Sequence, residues 1–172
     1  EWGGNPYNNY QRSYNNSTHN PAGSISRANG HSREFGMFLD PYVQVSPIDG
    51  LTLRSQFGVN ARFRRTDGFT PKFFIDQQEQ EVNNHVSRRM SQNVDWNWTN
   101  TVNYNTTIAE KHNINAMAGF TAEKFADYWV YGSRDNVPGS SSNLKEVHAG
   151  TINQNSDGNT SYNTLVSYLG RA

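Results

Sequence analysis

The segment LTLRSQFGVNARFR, residues 51–64, decides the fold class because its two faces have opposite chemistry. A period of two places alternate residues on opposite sides of a β-strand. The odd positions are apolar except for Ser55, whereas the even positions hold Thr52, Arg54, Gln56, Gly58, Asn60, Arg62 and Arg64. The segment is longer than a typical soluble strand and fits the roughly nine to eleven tilted residues that cross a bilayer. Because three arginines suit a watery lumen, it predicts a transmembrane β-barrel strand.

The composition narrows the class of protein. The chain has 172 residues, of which 34% are hydrophobic, and 15 basic residues balance 15 acidic ones. A barrel strand needs only every second residue apolar, so a mean hydropathy of −0.87 is compatible with a membrane barrel. No apolar run approaches the roughly 20 residues of a membrane helix. The zero net charge gives no electrostatic case for binding nucleic acid.

Four further segments alternate in the same way, which predicts a hairpin over 33–64, a second hairpin over 94–131 and the start of another strand over 161–172. Pro41 cannot donate to a sheet ladder, so a weak point or a bulge is expected there. The alternation is interpreted as slipping near Lys124, where a second bulge is expected.

The lengths of the connections alternate. Residues 1–32, 65–93 and 132–160 are long and polar, whereas residues 47–50 and 107–111 are short. Outer-membrane barrels have short periplasmic turns and long extracellular loops. We therefore expect the three long segments to be extracellular loops and the two short ones to be periplasmic turns.

This orientation yields three sets of candidate residues. On the inward parity, the lumen-facing candidates are Arg54, Asn60, Arg62 and Arg64. In the loops, the aromatic residues that could contact a ligand or a partner protein are Tyr7, Tyr10, Tyr14, Phe73 and Phe74. At the membrane interfaces, the expected aromatic girdle consists of Phe63, Trp96, Trp98, Tyr104, Trp129 and Tyr131. The competing interpretation is that the arginines pair with carboxylates on neighbouring strands and that the loop aromatics pack within their own loops.

About five strands cannot close a barrel, because single-chain bacterial barrels start at eight. An open sheet with one apolar face would aggregate through its edges and that face. The chain is therefore expected to be a contiguous piece of a larger barrel.

Four motifs in order resemble one family, the SusC/RagA-type TonB-dependent outer-membrane transporters of Bacteroidetes. PIDGLTLRS at 47–55 resembles a family hairpin, and WNWTNTVNY at 96–104 resembles a family strand. KHNINAMAGF at 111–120 is similar to a later strand. SYLGR at 167–171 also matches, with Leu169 in place of the usual aromatic residue.

The resemblance implies a barrel of about 22 strands, with a plug domain and a TonB-contacting segment outside this chain. It also implies a SusD-like lipoprotein on the extracellular side, and energised import of oligosaccharides or peptides across the bacterial outer membrane. A cofactor is not expected. The spacing of residues supports neither a catalytic Ser/His/Asp set nor paired carboxylates, and the five histidines are too far apart to suggest a metal site, so the protein is expected not to be an enzyme.

Two alternatives remain open at this stage. The first is a complete small outer-membrane barrel with a structural or adhesive role, which would need three more strands within the long polar segments. The second is a secreted carbohydrate-binding β-sandwich, which would need a second sheet against the apolar face.

Overall fold

The computed structural model describes residues 6–8, 20–27, 29–109, 111–138 and 145–172. One short helix, α1 (Pro21–Arg27), precedes the strands, and short 3-10 helices lie at Pro6–Asn8 and Val147–Ala149. The strands are β1 (Asn29–Leu39), β2 (Tyr42–Ile48), β3 (Leu51–Thr70), β4 (Phe73–Phe74), β5 (Gln80–Glu81), β6 (His85–Ile108), β7 (His112–Asp135) and β8 (Ile152–Arg171). None of the helices in these ranges is long and apolar enough to cross a membrane.

The long strands form one sheet, in the order β1-β3-β6-β7-β8, with β2 also paired to β3. Each strand of the path neighbours the next long strand in the chain, as in an antiparallel meander. The all-β antiparallel fold class is thereby confirmed. Strands β4 and β5 pair only with each other, in a separate two-stranded sheet. Within the described ranges, β4 and β5 therefore add no strand to the main sheet. Two such short strands also cannot form the second layer of a sandwich.

The strands extend beyond the bounds that alternation predicted. Strand β3 continues past residue 64 to Thr70, β6 begins at His85 instead of 94, and β8 begins at Ile152 instead of 161. The segment 1–32, predicted as loop, contains α1 and the start of β1. Alternation marks only the part of a strand with one apolar face, whereas backbone pairing continues where both faces are polar. The connections at 71–84 and 136–151 are therefore shorter than predicted.

Pro41 separates β1 from β2 without shifting their alignment against β3. Tyr42 lies opposite Gln56 and Val45 opposite Leu53 in one continuous register. Pro41 lacks an N–H, but its carbonyl oxygen accepts a hydrogen bond from the Phe57 N–H at 3.0 Å, so the ladder survives on that side. The break between β1 and β2 at Pro41 is the expected weak point, but no bulge lies there, because the register against β3 shifts only between Val45 and Ile48.

The residues group into two compact units. The first, which we call the loop unit, joins the segments up to Arg33, Arg64–Met90 and Trp129–Gly158. Its small core consists of Phe69, Val86 and Val137, against which Val147 and Ala149 pack. Asn84 is buried beside this core, and its side-chain amide exchanges two hydrogen bonds with the Val137 backbone, at 2.7 and 3.0 Å.

The second unit, which we call the sheet unit, joins Glu34–Phe63, Ser91–Tyr128 and Asn159–Ala172. Large apolar side chains remain exposed on it, and Tyr168 at 80% and Val43 at 68% are extreme cases. Monomeric soluble proteins rarely expose contiguous apolar patches of more than a few hundred Å². The sheet unit thus presents an apolar face with no protein layer on it among the described residues.

Candidate lumen-facing surface

One face of the sheet unit is a row of aromatic rings that crosses four strands. The ring centroids of Phe57 and Trp96 lie 6.0 Å apart, those of Trp98 and Phe120 6.0 Å, and those of Phe120 and Tyr168 5.5 Å. These distances fall in the range of favourable ring pairs. Three predicted girdle residues belong to this apolar face. Trp96 and Trp98 are part of the row, and the ring centroid of Phe63 lies 6.4 Å from that of Phe35 on β1.

The opposite face carries a polar network around Arg54. Its guanidinium stacks on the Tyr42 ring, 4.2 Å from the centroid, and donates to Gln56 Oε1 at 2.9 Å. Gln56 Nε2 in turn donates to both carboxylate oxygens of Asp40 at 2.8 Å. Arg54 Nε is buried and has no hydrogen-bond partner. Arg54 therefore reaches the carboxylate only through an amide, unlike the direct pairing of the competing interpretation.

Asn60 lines a cavity of about 220 Å³ on the same face. Two acidic residues, Asp95 and Glu123, and three aromatic residues, Phe38, Trp96 and Phe125, also line it. Phe38 is 70% exposed and Phe125 47%. Of the two remaining arginine candidates, Arg62 is exposed with its stem beside Gly36, and Arg64 is exposed in the loop unit. The structure thus brings Arg54 and Asn60 onto a surface with aromatic, amide and carboxylate groups.

Strands β6 and β7 hold one register along their whole length. Contacts join Thr107 to Asn113, Thr99 to Thr121, Asn93 to Asp127 and His85 to Asp135, so each step along β6 is matched by one step back along β7. The bulge expected near Lys124 is therefore wrong, because a slip would have changed the pairing on one side of it.

The unbroken register corrects two girdle assignments. Odd residues of β7 share the face of Thr121 and Asp127, and this set includes Trp129 and Tyr131. The Arg89 guanidinium lies over the Trp129 ring, 3.9 Å from its centroid, and Arg89 has the parity of Asn93 on β6. Trp129 and Tyr131 therefore lie on the polar parity, and their neighbours Tyr128 and Val130 lie on the apolar parity. Tyr104 keeps the apolar parity and is 39% exposed.

Phe125, Asp95 and Glu123 line the cavity but were not among the residues predicted from the sequence. The slip assumed near Lys124 hid Phe125, although uninterrupted alternation from Glu123 to Tyr131 places it inward. Asp95 and Glu123 fall on the same parity as Asn97 and Thr121, but nothing in the sequence distinguishes them from the other polar residues of that parity.

The loop aromatics separate into different environments. The buried Arg27 guanidinium lies 4.1 Å from the centroid of the Phe73 ring and pairs with Glu79, so Phe73 belongs to internal packing. Phe74 is 37% exposed, and its backbone N–H donates to Asn8 Oδ1 at 2.9 Å. Tyr7 is half-buried. Tyr10 and Tyr14 lie outside the described residues.

A charged cluster occupies the loop unit on β3 and β6. Asp67 accepts from Arg65 at 2.8 and 3.1 Å and from Arg88 at 2.5 Å. Desolvation opposes ionisation of Asp67, but the two arginines outweigh it and lower the pKa of its carboxyl. Hydrogen bonds to Glu146 and then Asp67 raise the pKa of Arg88. At 2.8 Å, the Arg88–Glu146 ion pair tethers residues 145–151, which we call the strap.

The strap also covers part of the core of the loop unit. The Lys145 ammonium lies 4.0 Å from the centroid of the Phe69 ring, and burial lowers the pKa of Lys145. Arg134 donates to the carbonyl oxygens of His148 and Gly150, and the Thr151 N–H donates to the Asp135 carbonyl oxygen at 3.0 Å. Hydrogen bonds from Asn153 and then His85 lower the pKa of Asp135.

Within the described ranges, no group of three or more histidine, aspartate or glutamate side chains could hold a metal ion. The arrangement offers surfaces for binding and hydrogen bonding.

Comparison with known proteins agrees with this architecture. A TonB-dependent receptor, P39, of Formosa agariphila is 26% identical over 116 residues, which cover 67% of this chain and 11% of that protein. The RagAB peptide transporter matches 94% of this chain and 18% of its own, with a TM-score of 0.82 and 19% identity. The RagAB peptide importer in its open-open state matches with a TM-score of 0.80 and 19% identity, over the same shares of the two chains. No protein-family model matches the chain.

The chain therefore spans about a tenth of the receptor (11%) and under a fifth of the RagAB chain (18%). These relatives are transporters and receptors, not enzymes. The sequence match and the shared fold agree with the four ordered motifs: the chain is similar in sequence to a TonB-dependent receptor and similar in fold to part of the RagAB peptide transporter.

Proposed function

We propose that this chain is part of the barrel wall of an outer-membrane TonB-dependent importer of peptides or oligosaccharides. The observation that carries the proposal is the two-faced sheet: the aromatic row from Phe57 to Tyr168 suits lipid, and the polar face around Arg54 suits a hydrated lumen. The similarity to a TonB-dependent receptor and to RagAB supports it.

In this proposal, the connections 71–84 and 136–151 and the segment before β1 lie outside the cell. The turns at Asp49–Gly50 and between β6 and β7 face the periplasm. The lumen wall includes Arg54, Asn60 and Arg62, and Arg64 continues it towards the extracellular end. Phe63, Trp96, Trp98 and Tyr104 contact lipid. Phe74 and Tyr7, with Tyr10 and Tyr14, are proposed to contact the ligand or a partner.

The proposed partners are a SusD-like lipoprotein over the extracellular loops and the TonB complex, reached through parts of the protein outside this chain. Peptide is the first substrate class to test, because RagAB is a peptide transporter. An inward surface with aromatic rings, amides and both signs of charge can bind the backbone and side chains of a peptide, but the same rings can stack on sugars.

Cysteine labelling tests the orientation, because the chain contains no cysteine. Single cysteines replace the exposed residues Gln77, in the 71–84 connection, and Asp49, in the β2–β3 turn, in the full-length protein freed of other reactive cysteines. Intact cells are treated with a membrane-impermeant maleimide. We expect labelling at position 77 in intact cells, and labelling at position 49 only after the outer membrane is permeabilised.

Transport is tested with cells that lack the protein and are complemented with it. Uptake of fluorescent oligopeptides is compared with uptake of fluorescent oligosaccharides, with and without a functional TonB. Uptake of one class that requires both the protein and TonB supports import. Equal labelling at positions 49 and 77 in a soluble fraction, or uptake independent of TonB, would refute the proposal.

A further inference from the structure

On the face of the strands that is proposed to point outward, the residues change abruptly from apolar to charged. On β3, Arg65 and Asp67 continue the odd positions that end with Phe63. Strand β6 contributes Arg88, which has the even parity of Trp96 and Trp98, and β1 contributes His31. Contacts from His31 and Arg88 to Asp67 show that these strands bring one charged group together.

This group holds more cations than its carboxylates neutralise. Asp67 is shared by Arg65, Arg88 and His31, the last at 3.3 Å, and Glu146 is bound by Arg88 alone. Lys145 makes no ion pair with a described carboxylate, and its ammonium faces the Phe69 ring instead. Three basic side chains, those of Arg65, Arg88 and Lys145, therefore face two carboxylates, so basic groups outnumber acidic ones before His31 is counted.

These side chains surround a cavity of about 410 Å³ within the loop unit. Its charged lining consists of His31, Arg65, Asp67, Arg88, Lys145 and Glu146, and Phe69 adds an apolar wall. Arg65 and Lys145 belong to separate segments on this lining, so an anionic group inside could accept hydrogen bonds from both. Arginine and lysine are the side chains that bind phosphate and carboxylate groups most strongly.

We infer that this cavity binds the phosphate or carboxylate groups of an anionic glycolipid headgroup in the outer leaflet. Arg65 follows Phe63 by two residues, which is ~7 Å along a strand and less along the membrane normal because barrel strands are tilted. A cation so close to the last lipid-facing ring lies at headgroup depth. The inference rests on the proposed membrane orientation, and it adds a lipid ligand to the proposed transport function.

The test uses the full-length protein, purified in detergent and exchanged into nanodiscs of phosphatidylcholine with and without lipopolysaccharide. Retained lipopolysaccharide is measured by native mass spectrometry. We expect the Arg65→Gln/Lys145→Gln double variant to bind it about tenfold more weakly or worse, because two charge-assisted contacts are lost. Arg62→Gln, which removes a cation from the opposite face of the same strand, should retain it like the unmodified protein.

Further variants and measurements serve as controls for this test. Lys145→Arg preserves the charge and should retain lipopolysaccharide, and heat-modifiable electrophoretic mobility reports whether each variant is folded. Equal retention by a folded double variant would overturn the inference. If inorganic phosphate displaces the lipid and binds as tightly, the source is a free anion and the lipid assignment fails. If the unmodified protein retains no lipopolysaccharide but is labelled by the maleimide at position 77 in intact cells, the lipid site is overturned and the proposed function stands.

Discussion

At the residue scale, Gly50 shows how one position fixes the β2–β3 turn. Its φ is +78°, and a Cβ placed there would lie only 2.1 Å from the Asn105 carbonyl oxygen of β6. The Gly50 carbonyl oxygen also accepts the Asn105 N–H at 2.8 Å, so the backbone cannot move away without losing this hydrogen bond. We predict that Gly50→Ala lowers the free energy of unfolding by at least about 2 kcal/mol.

The measurement for this first prediction is urea-dependent unfolding from lipid vesicles, followed by heat-modifiable mobility. The matched control is Gly36→Ala, where the added Cβ would meet only the Arg62 stem at 3.9 Å, an ordinary contact. It should change the stability by no more than about 0.5 kcal/mol. Similar losses in the two variants would mean that the turn does not require glycine.

A second residue-scale prediction concerns the pH response of the strap. The Arg88 guanidinium lowers the pKa of the exposed Glu146 below its ordinary 4.5, and it contributes to the lowered pKa of Asp67. A carboxylate whose pKa falls on folding stabilises the folded state above its unfolded pKa, and this contribution is lost as pH falls through the folded pKa. We predict that the strap is held at neutral pH and loosens below about pH 4.

Hydrogen exchange of the Gly150 and Thr151 amides measures this loosening, because both donate to backbone carbonyls. Protection should fall on acidification in the unmodified protein. Arg88→Gln should already lack that protection at neutral pH and show little further change, since neither carboxylate then has this partner. An unmodified protein whose strap amides stay equally protected at pH 3 would contradict the electrostatic tether.

At the element scale, the β6–β7 hairpin tests the single register directly. If no slip occurs at Lys124, Arg89 and Trp129 face each other, as their 3.9 Å contact indicates. We predict a coupling energy of about 0.5–1 kcal/mol between Arg89→Ala and Trp129→Ala in a double-mutant cycle of unfolding free energies. The control cycle pairs Arg89→Ala with Val130→Ala, which lies on the other parity and should show no coupling. Zero coupling at Trp129 would restore the slipped register.

The two faces of β7 give a second prediction at this scale. Ala118 lies on the apolar parity, which is proposed to face lipid, and its neighbour Met117 lies on the other parity, which is proposed to face the lumen. A cation near the bilayer midplane costs about 2–4 kcal/mol on the lipid face of a barrel and far less in a hydrated lumen. Ala118→Arg should therefore reduce the unfolding free energy by that amount, whereas Met117→Arg should change it little. The comparison is made in lipid vesicles, and equal effects would argue against a membrane-facing row.

Much of the fold could be predicted from alternation, for a physical reason. Where one face of a strand meets lipid and the other water, alternate residues must be apolar, and residues 51–63 follow this pattern except at Ser55. After Phe63 both faces of the strand are mainly polar, so the alternation ends, although β3 continues to Thr70. The parity of Arg54 and Asn60 identified them as lumen candidates, but the contact of Lys145 with Phe69 depends on packing that a local pattern does not encode.

At the scale of the whole molecule, the unpaired edges of the main sheet indicate that further strands must pair with it. The main sheet ends at β1 and β2 on one side and at β8 on the other, and β8 is exposed along its whole length. Unpaired strand edges and a broad apolar face both favour association, and in a membrane they are tolerated only after closure into a barrel. The sheet is therefore expected to pair with further strands of the same polypeptide at both edges.

The last prediction follows from these edges and concerns the size of the native polypeptide. The chain accounts for 18% of the RagAB chain that it matches and has a mass of 19.5 kDa. A barrel with the same proportions requires a polypeptide several times heavier, because each edge must continue to the next strand until the sheet closes. Intact-mass measurement of the native protein from a detergent-extracted outer-membrane fraction should give such a value. A folded native product near 19.5 kDa would contradict closure by further strands, because the described sheet has fewer strands than a closed barrel needs. That result would favour a small barrel or a soluble sandwich instead.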